Sequence, residues 1–272
     1  MMLSMIVLPL ALGVSLSAVL CMSQHAWLHS SAIAAGFLLV GVIISGLPPF
    51  PPISSKHKII YLLAVICVAA PVVSSRGKLI RLVTAGLIIC GAFLWLSWRR
   101  LSADMPIEPL LPSLSVLVVW LVGVVQAERS KTGTFLWPSA VFAALLTASP
   151  VGLLSGYLGL GQLSGGFAAY LGGVLLLPYA SLLLAFPKSA QVFAASTAWV
   201  GLTAIGVLAV SLASFATNLH PLAFGLLLLT LLSPLIVVRL PIAQPSHLQP
   251  IVVVALAAMP AGGAILTSYL YF

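Results

Sequence analysis

The chain has 272 residues, 62% of them apolar and 5% charged, with a formal net charge of +8 and a mean hydropathy of +1.25. Soluble domains run at about 45–50% apolar and about 25% charged, so the polar residues here cannot clothe a water-facing surface. A secreted module, a cytoplasmic enzyme, a nucleic-acid binder and a disordered tail are excluded, and the fold class is all-α, a polytopic integral membrane protein with about ten transmembrane helices and short connectors.

The basic residues support that placement. Lys56, Lys58, Arg76, Lys78, Arg81, Arg99, Arg100, Arg129, Lys131, Lys188 and Arg239 sit singly or in pairs at the edges of apolar runs. A nucleic-acid surface would gather them on one face, whereas topology anchors facing lipid phosphates are scattered in this way.

A crossing takes roughly 20 apolar residues. The first run, Met5–Met22, is as apolar as a signal sequence but has no Lys or Arg ahead of it, which favours a retained helix. His25 and His29 follow, four apart and so on one helix face, a spacing that suits a ligand pair. No acid or cysteine stands near them, and His and Trp at headgroup level is the plainer reading.

The second run, Ser31–Leu47, gives way to PPFPPISSKHK (Pro48–Lys58), whose proline rings remove donors and disfavour helix. The third, Ile59–Val73, is short for a crossing, and is expected to be tilted, extended toward Lys56 or incomplete. The fourth, Leu79–Trp98, ends at Trp95, Trp98 and Arg99, and RRLSADMPIEP (Arg99–Pro109) carries Asp104 and Glu108 at the interface. The fifth, Leu110–Gln126, is followed by the polar turn ERSKTG (Glu128–Gly133), which holds the third acid.

Beyond it lie Phe135–Leu154, Gly166–Phe186, Val192–Phe215 and Leu222–Val238, then the proline-punctuated LPIAQPSHLQP (Leu240–Pro250) and a tenth run, Ile251–Leu270, with Tyr269 and Tyr271 at its end. Trp137, opening the sixth run, belongs with these aromatic interface anchors. Cys21, Cys67 and Cys90 lie in or at the ends of apolar runs without CxxC spacing, so free thiols are expected, with no disulfide framework, metal site or cofactor.

Counted over ten spans, connectors in the second half alternate in basic charge, which puts Glu128–Gly133, Lys188 and Arg239 inside and both termini outside. The first half does not alternate. The location expected is a bacterial-type inner membrane. The single transmembrane domain, 1–272, divides into five-span halves at 1–130 and 131–272, and PPFPPISSK (Pro48–Lys56) has a loose echo in LLAFPKSAQ (Leu183–Gln191). Odd-numbered halves would be inverted relative to each other, as in secondary transporters.

The most unusual segment is Pro150–Gly173, with 8 of the 22 glycines. Gly161, Gly165, Ala169 and Gly173 recur every four residues and read as a helix-packing stripe. Alternatively Gly152–Gly161 is an unwound or re-entrant element lining a cavity, or an extramembrane loop. Gln162, Ser155, Ser164, Tyr157 and Asn218 are the candidate substrate-pathway residues. A serine nucleophile with His220 as base is disfavoured, because an intramembrane GxSG pattern would need glycine at 153 or 162, where Leu153 and Gln162 stand.

Asp104, Glu108 and Glu128 all map to connectors, and no charged residue falls at the centre of a run. Ion-coupled carriers keep such a residue despite its cost, so a carboxylate proton relay and a voltage sensor are disfavoured. The expected function is a small-solute permease or flippase-like carrier without an intramembrane carboxylate. The alternative is a non-catalytic scaffold or subunit, docking a membrane-protein partner or a second copy through the glycine stripe.

Overall fold

The computed structural model describes residues 2–20, 23, 25–52, 54–101, 110–129, 135–184, 195–240 and 247–271. These form ten α-helices and no strand: α1 (Met2–Leu20), α2 (Ala26–Ser45), α3 (Ser55–Ser74), α4 (Lys78–Leu101), α5 (Leu110–Arg129), α6 (Leu136–Leu154), α7 (Leu158–Leu183), α8 (Ala195–Phe215), α9 (Pro221–Val237) and α10 (Gln249–Leu270). Eight are long and apolar enough to cross a bilayer, and Ile6–Leu20 and Pro221–Val237 add two shorter apolar stretches. The chain is a polytopic membrane protein of about ten helices. Helix is what such runs must form, since hydrocarbon offers backbone amides no partner outside the segment itself.

Helix α8 is the hub. It packs against α2, α3, α4, α5, α6 and α7, and 89% of its spanning window is buried, against 22% for α10. Its small residues permit this crowding: a Cβ on Gly206 would lie 2.8 Å from Ile89 Cδ1 and 3.4 Å from Trp120 Cδ1. Two of its buried hydroxyls are satisfied within the helix, Thr203 donating to the Trp199 carbonyl at 2.6 Å and Ser211 to that of Val207 at 2.7 Å, while Ser214 pairs with Ser97 of α4. Helix α6 is the second interior element, among α7, α8, α9 and α10.

Helix α1 lies outside, on α7, at a glycine crossing. A Cβ on Gly13 would strike the Tyr170 carbonyl, and one on Gly173 the Leu10 carbonyl. Helices α2 and α7 meet through Phe37, edge-on to Phe167 at 5.1 Å and to Tyr170 at 5.4 Å, and Gly36 leaves room for the Tyr170 ring. Helix α2 packs on α1, α3, α7 and α8.

The third span is the extended alternative and full length, because helix starts at Ser55 and absorbs the two lysines, with Lys58 Nζ donating to the Trp95 carbonyl at 3.1 Å at the membrane edge. Two expectations change. The seventh begins at Leu158 rather than Gly166, so the glycine-rich stretch is helical. Glu128 lies in the last turn of α5, not in a connector. There Arg81 grips it with two bonds, Nε to Oε1 at 2.6 Å and Nη2 to Oε2 at 2.8 Å, while Lys78 Nζ donates to its carbonyl at 3.0 Å. Side-chain exposure of 13% and 5% places this bidentate pair out of water, where it ties the start of α4 to the end of α5.

Gly173→Leu is expected to lower stability by about 1–3 kcal/mol or more by forcing α1 off α7, whereas Gly225→Ala, with open space around its Cβ, leaves it unchanged; thermal unfolding in detergent compares them. Arg81→Ala is expected to cost about 3–5 kcal/mol by stranding a buried carboxylate, and Arg81→Ala with Glu128→Ala together less than the sum of the two single changes, in a double-mutant cycle.

Candidate functional site

Helices α3, α7 and α9 begin on the face that also holds the start of α1 and the end of α10. The α6–α7 turn is central. Helix α6 stops at Leu154 and Gly156 takes a left-handed φ of +79°, letting the Tyr157 amide donate to the Gly152 carbonyl at 2.9 Å and the Gly156 amide to that of Leu153 at 3.3 Å. This paired closure is how a glycine ends a helix, and a side chain at 156 would strain it. Gly152 lets α7 start close beside α6, since its Cβ would stand 3.1 Å from the Gly161 nitrogen. The segment Gly152–Gly161 is therefore neither re-entrant nor a loop, but a three-residue turn between two helices.

The α8–α9 turn lies on it. The Asn218 amide donates to the Ser155 carbonyl at 3.3 Å, and Tyr157 leans on Phe215 with ring centroids 6.1 Å apart. From the other side comes α3, whose Ser55 Oγ is 2.8 Å from the Tyr157 hydroxyl. Burial pushes the Tyr157 phenol above its ordinary pKa of 10.0, and the Ser55 bond offsets part of that rise. Sequence residues 155, 157 and 218 are thus brought together, joined by Ser55 and Thr217.

Polar atoms at this junction lack partners. Ser54 Oγ, His57 Nδ1 and Ser155 Oγ are buried and make no hydrogen bond. Each such atom costs about 1–3 kcal/mol. Ser54 and His57 were not legible as site residues; the available signal was that Ser54 precedes the lysine-bearing start of α3 and His57 stands three residues on, where cap and third-position side chains meet.

Helices α3 and α7 start without any side-chain cap, at Ser54 and Tyr157, while α9 is capped by His220, whose Nδ1 accepts from the Leu222 amide at 3.3 Å. Uncapped helix starts carry partial positive charge.

The remaining candidates lie elsewhere. Gln162 and Ser164 sit one to two turns into α7, Gln162 half-buried and Ser164 buried with an unpartnered hydroxyl. The Asn218 side chain is exposed. The four stripe positions do not face one neighbour, because each four-residue step turns about 40° around a helix. Gly161 and Gly165 meet Ser149 of α6, Gly173 meets α1, and Ala169 between them is half-buried.

His29 is buried, its Nε2 bonded to the Ser23 carbonyl at 3.0 Å, and His25 is exposed. Among the described residues no three His, Cys, Asp or Glu side chains gather as a metal site. Cys67 and Cys90 are free, and Cys21, Asp104 and Glu108 lie outside the described residues. An apolar cavity between α6, α7, α8 and α9, lined by Ala148, Leu160, Ile205 and Leu228, has room for about one water. Comparison with protein families, characterised proteins and solved structures finds no match to this chain.

Tyr157→Phe is expected to lower stability by about 1 kcal/mol at neutral pH through loss of the Ser55 bond. Because burial favours the neutral phenol, the stability of wild type relative to Tyr157→Phe is at its full value below a pH of about 10 and falls as pH rises through the raised value, a desolvation loss that the Ser55 bond partly offsets. An ultraviolet difference titration of wild type against Tyr157→Phe, among six tyrosines, should isolate one phenol ionising late.

Proposed function

We propose that this protein is a small-solute permease or flippase-like carrier and that the junction of α3, α7 and α9 is its recognition element. The observation supporting this is that buried polar atoms of Ser54, His57 and Ser155, in the segments joined by the Ser55–Tyr157 contact, have no hydrogen-bond partner. Groups left unsatisfied by the fold are free to be satisfied by a ligand. Secondary carriers commonly aim the starts of broken helices at a substrate; here whole helices offer their starts at the membrane edge.

Charged side chains of the described residues lie in connectors or the end turns of helices, so recognition in this reading uses neutral hydrogen bonds and backbone dipoles. Ser164, about two turns below the junction, continues the polar line into α7. The glycine stripe gives the scaffold alternative little free surface, since α6 and α1 cover it.

Orientation follows from charge. Helices alternate in direction, so Lys56, Lys58, Arg99 and Arg100 fall on the face of the termini, and, among the described residues, Arg76, Lys78, Arg81, Arg129 and Arg239 on the other, four against five. By the positive-inside rule the junction faces outward from a bacterial-type inner membrane. Cysteines placed at 217 and at 76 in a background without the native thiols test this: a membrane-impermeant maleimide applied to intact cells is expected to label the first and spare the second, and the reverse result inverts the topology.

Reconstituted into liposomes, the protein is expected to speed entry of at least one of glycerol, glycine and inorganic phosphate, or the flip of NBD-labelled phosphatidylethanolamine, with Ser155→Ala slowing it severalfold. Rates equal to protein-free liposomes across all four probes would remove the carrier reading.

A further inference from the structure

We infer that the α3–α4 turn and the end of α5 form a docking surface for the headgroup of an anionic phospholipid. This surface lies on the face opposite the α3, α7 and α9 junction, and the inference stands apart from the carrier reading.

Basic residues that are scattered in the sequence are gathered here by the fold. Arg76 stands in the turn after α3, Lys78 and Arg81 open α4, and Arg129 ends α5. One hydrogen-bond network joins the three segments. Arg81 Nη1 donates to the Arg76 carbonyl at 2.8 Å while its Nε and Nη2 hold the Glu128 carboxylate. Lys78 Nζ donates to the Glu128 carbonyl at 3.0 Å, directly ahead of Arg129. Glu128 is the one side-chain carboxylate among the described residues, and Arg81 neutralises it. Arg76, Lys78 and Arg129 are left exposed, with no counter-charge among the described residues. The surface is accessible between them: Gly77 separates Arg76 from Lys78, and no atom lies within 4 Å of where its Cβ would stand.

What lies beside the charge selects a lipid. Val68 and Val72 on α3, and Leu79, Val83 and Leu87 on α4, are 52–75% exposed and lie within about three turns of the patch. Cations at a helix end above exposed apolar surface match an amphiphile, with phosphate at the rim and acyl chains against the valines and leucines. The guanidinium fork of an arginine also fits phosphate oxygens in two-pronged fashion. A soluble anion would use the charge and leave the apolar surface uncovered. A second copy of this patch would set like charge against like, which is unfavourable. Phosphatidylcholine has the same phosphate and chains, but its choline cancels the charge, so the preference is for an anionic headgroup. Each basic residue close to an anionic surface strengthens binding by about fivefold.

The test titrates full-length protein in neutral detergent against phosphatidylglycerol carrying an NBD group on its acyl chain, with phosphatidylcholine labelled in the same way as control. Phosphatidylglycerol is expected to bind at least about tenfold more tightly. Arg76→Gln and Arg129→Gln should each cut that preference about fivefold, and together about 25-fold, as separate charges do. Both side chains are exposed, so the variants should melt with the wild type. Arg76→Lys with Arg129→Lys keeps the charge and should keep most of the preference. Lys56→Gln, on the opposite face, removes the same unit of net charge and should leave the preference intact. The inference is overturned if the two lipids bind alike, if Lys56→Gln weakens binding as much as Arg76→Gln, or if the double glutamine variant binds like wild type. Displacement of the labelled lipid by glycerol phosphate or by polyglutamate as readily as by unlabelled phosphatidylglycerol would assign the patch to a soluble anion or an acidic protein, and would overturn it as well.

Discussion

Inside a bilayer a helix gains nothing by hiding apolar surface from its surroundings, because lipid tails are as apolar as leucine. Association must then come from close contact, and contact between helices is limited by side chains. The bundle depends on how this limit is met. At the α1–α7 crossing, Gly13 and Gly173 remove the side chains and backbone meets backbone. At α2–α7, Gly36 makes a socket for Tyr170, whose hydroxyl reaches the Ala32 carbonyl at 3.3 Å. Around α8, Gly206 admits Ile89 and Trp120. Dispersion over many such contacts replaces the hydrophobic drive of a soluble core.

The same absence of water governs the polar groups. In the buried helices hydroxyls turn back to their own carbonyls, as Thr147, Thr203 and Ser211 do. The Ser97–Ser214 pair, at 3.1 Å, is a cross-helix exception between α4 and α8. Charge is held at the ends, and where it is buried it is fully engaged: Glu128 receives both nitrogens of Arg81 on one oxygen each. Stability and polarity are thus separated along the membrane normal, with contact in the middle and electrostatics at the rims.

Buried polar atoms without a partner occur within the spans, on Ser17, Trp120, Ser164, Trp199 and Ser268, and at the helix ends of the α3, α7 and α9 junction on Ser54, His57 and Ser155. Fixed dipoles are a means of recognising charge without keeping an ionised side chain in the membrane, where such a side chain is costly. Scarcity of charge in the spans therefore leaves room for function through backbone and hydroxyl groups.

The sequence by itself determined the environment, the helical class and the approximate number of helices, because hydrocarbon imposes one backbone solution and apolar run length reports it directly. It also located the glycine-rich turn and, within it, Ser155 and Tyr157. Charge at the start of α3 concealed that helix's true length, since a lysine can enter a spanning helix when its amine reaches the rim, as Lys58 does at Trp95. Glycine density left open both a helix-packing stripe and an irregular segment, and tertiary packing made it helix: Gly165, Gly172 and Gly173 are matched by Ser149, Phe142 and Leu10. The meeting of Ser55 with Tyr157, 102 residues apart, was decided only by the fold. Periodicity records which face of one helix is apolar, but in a membrane nearly every face is apolar, so the choice of neighbour rests on shape, and shape exists only once the helices are packed.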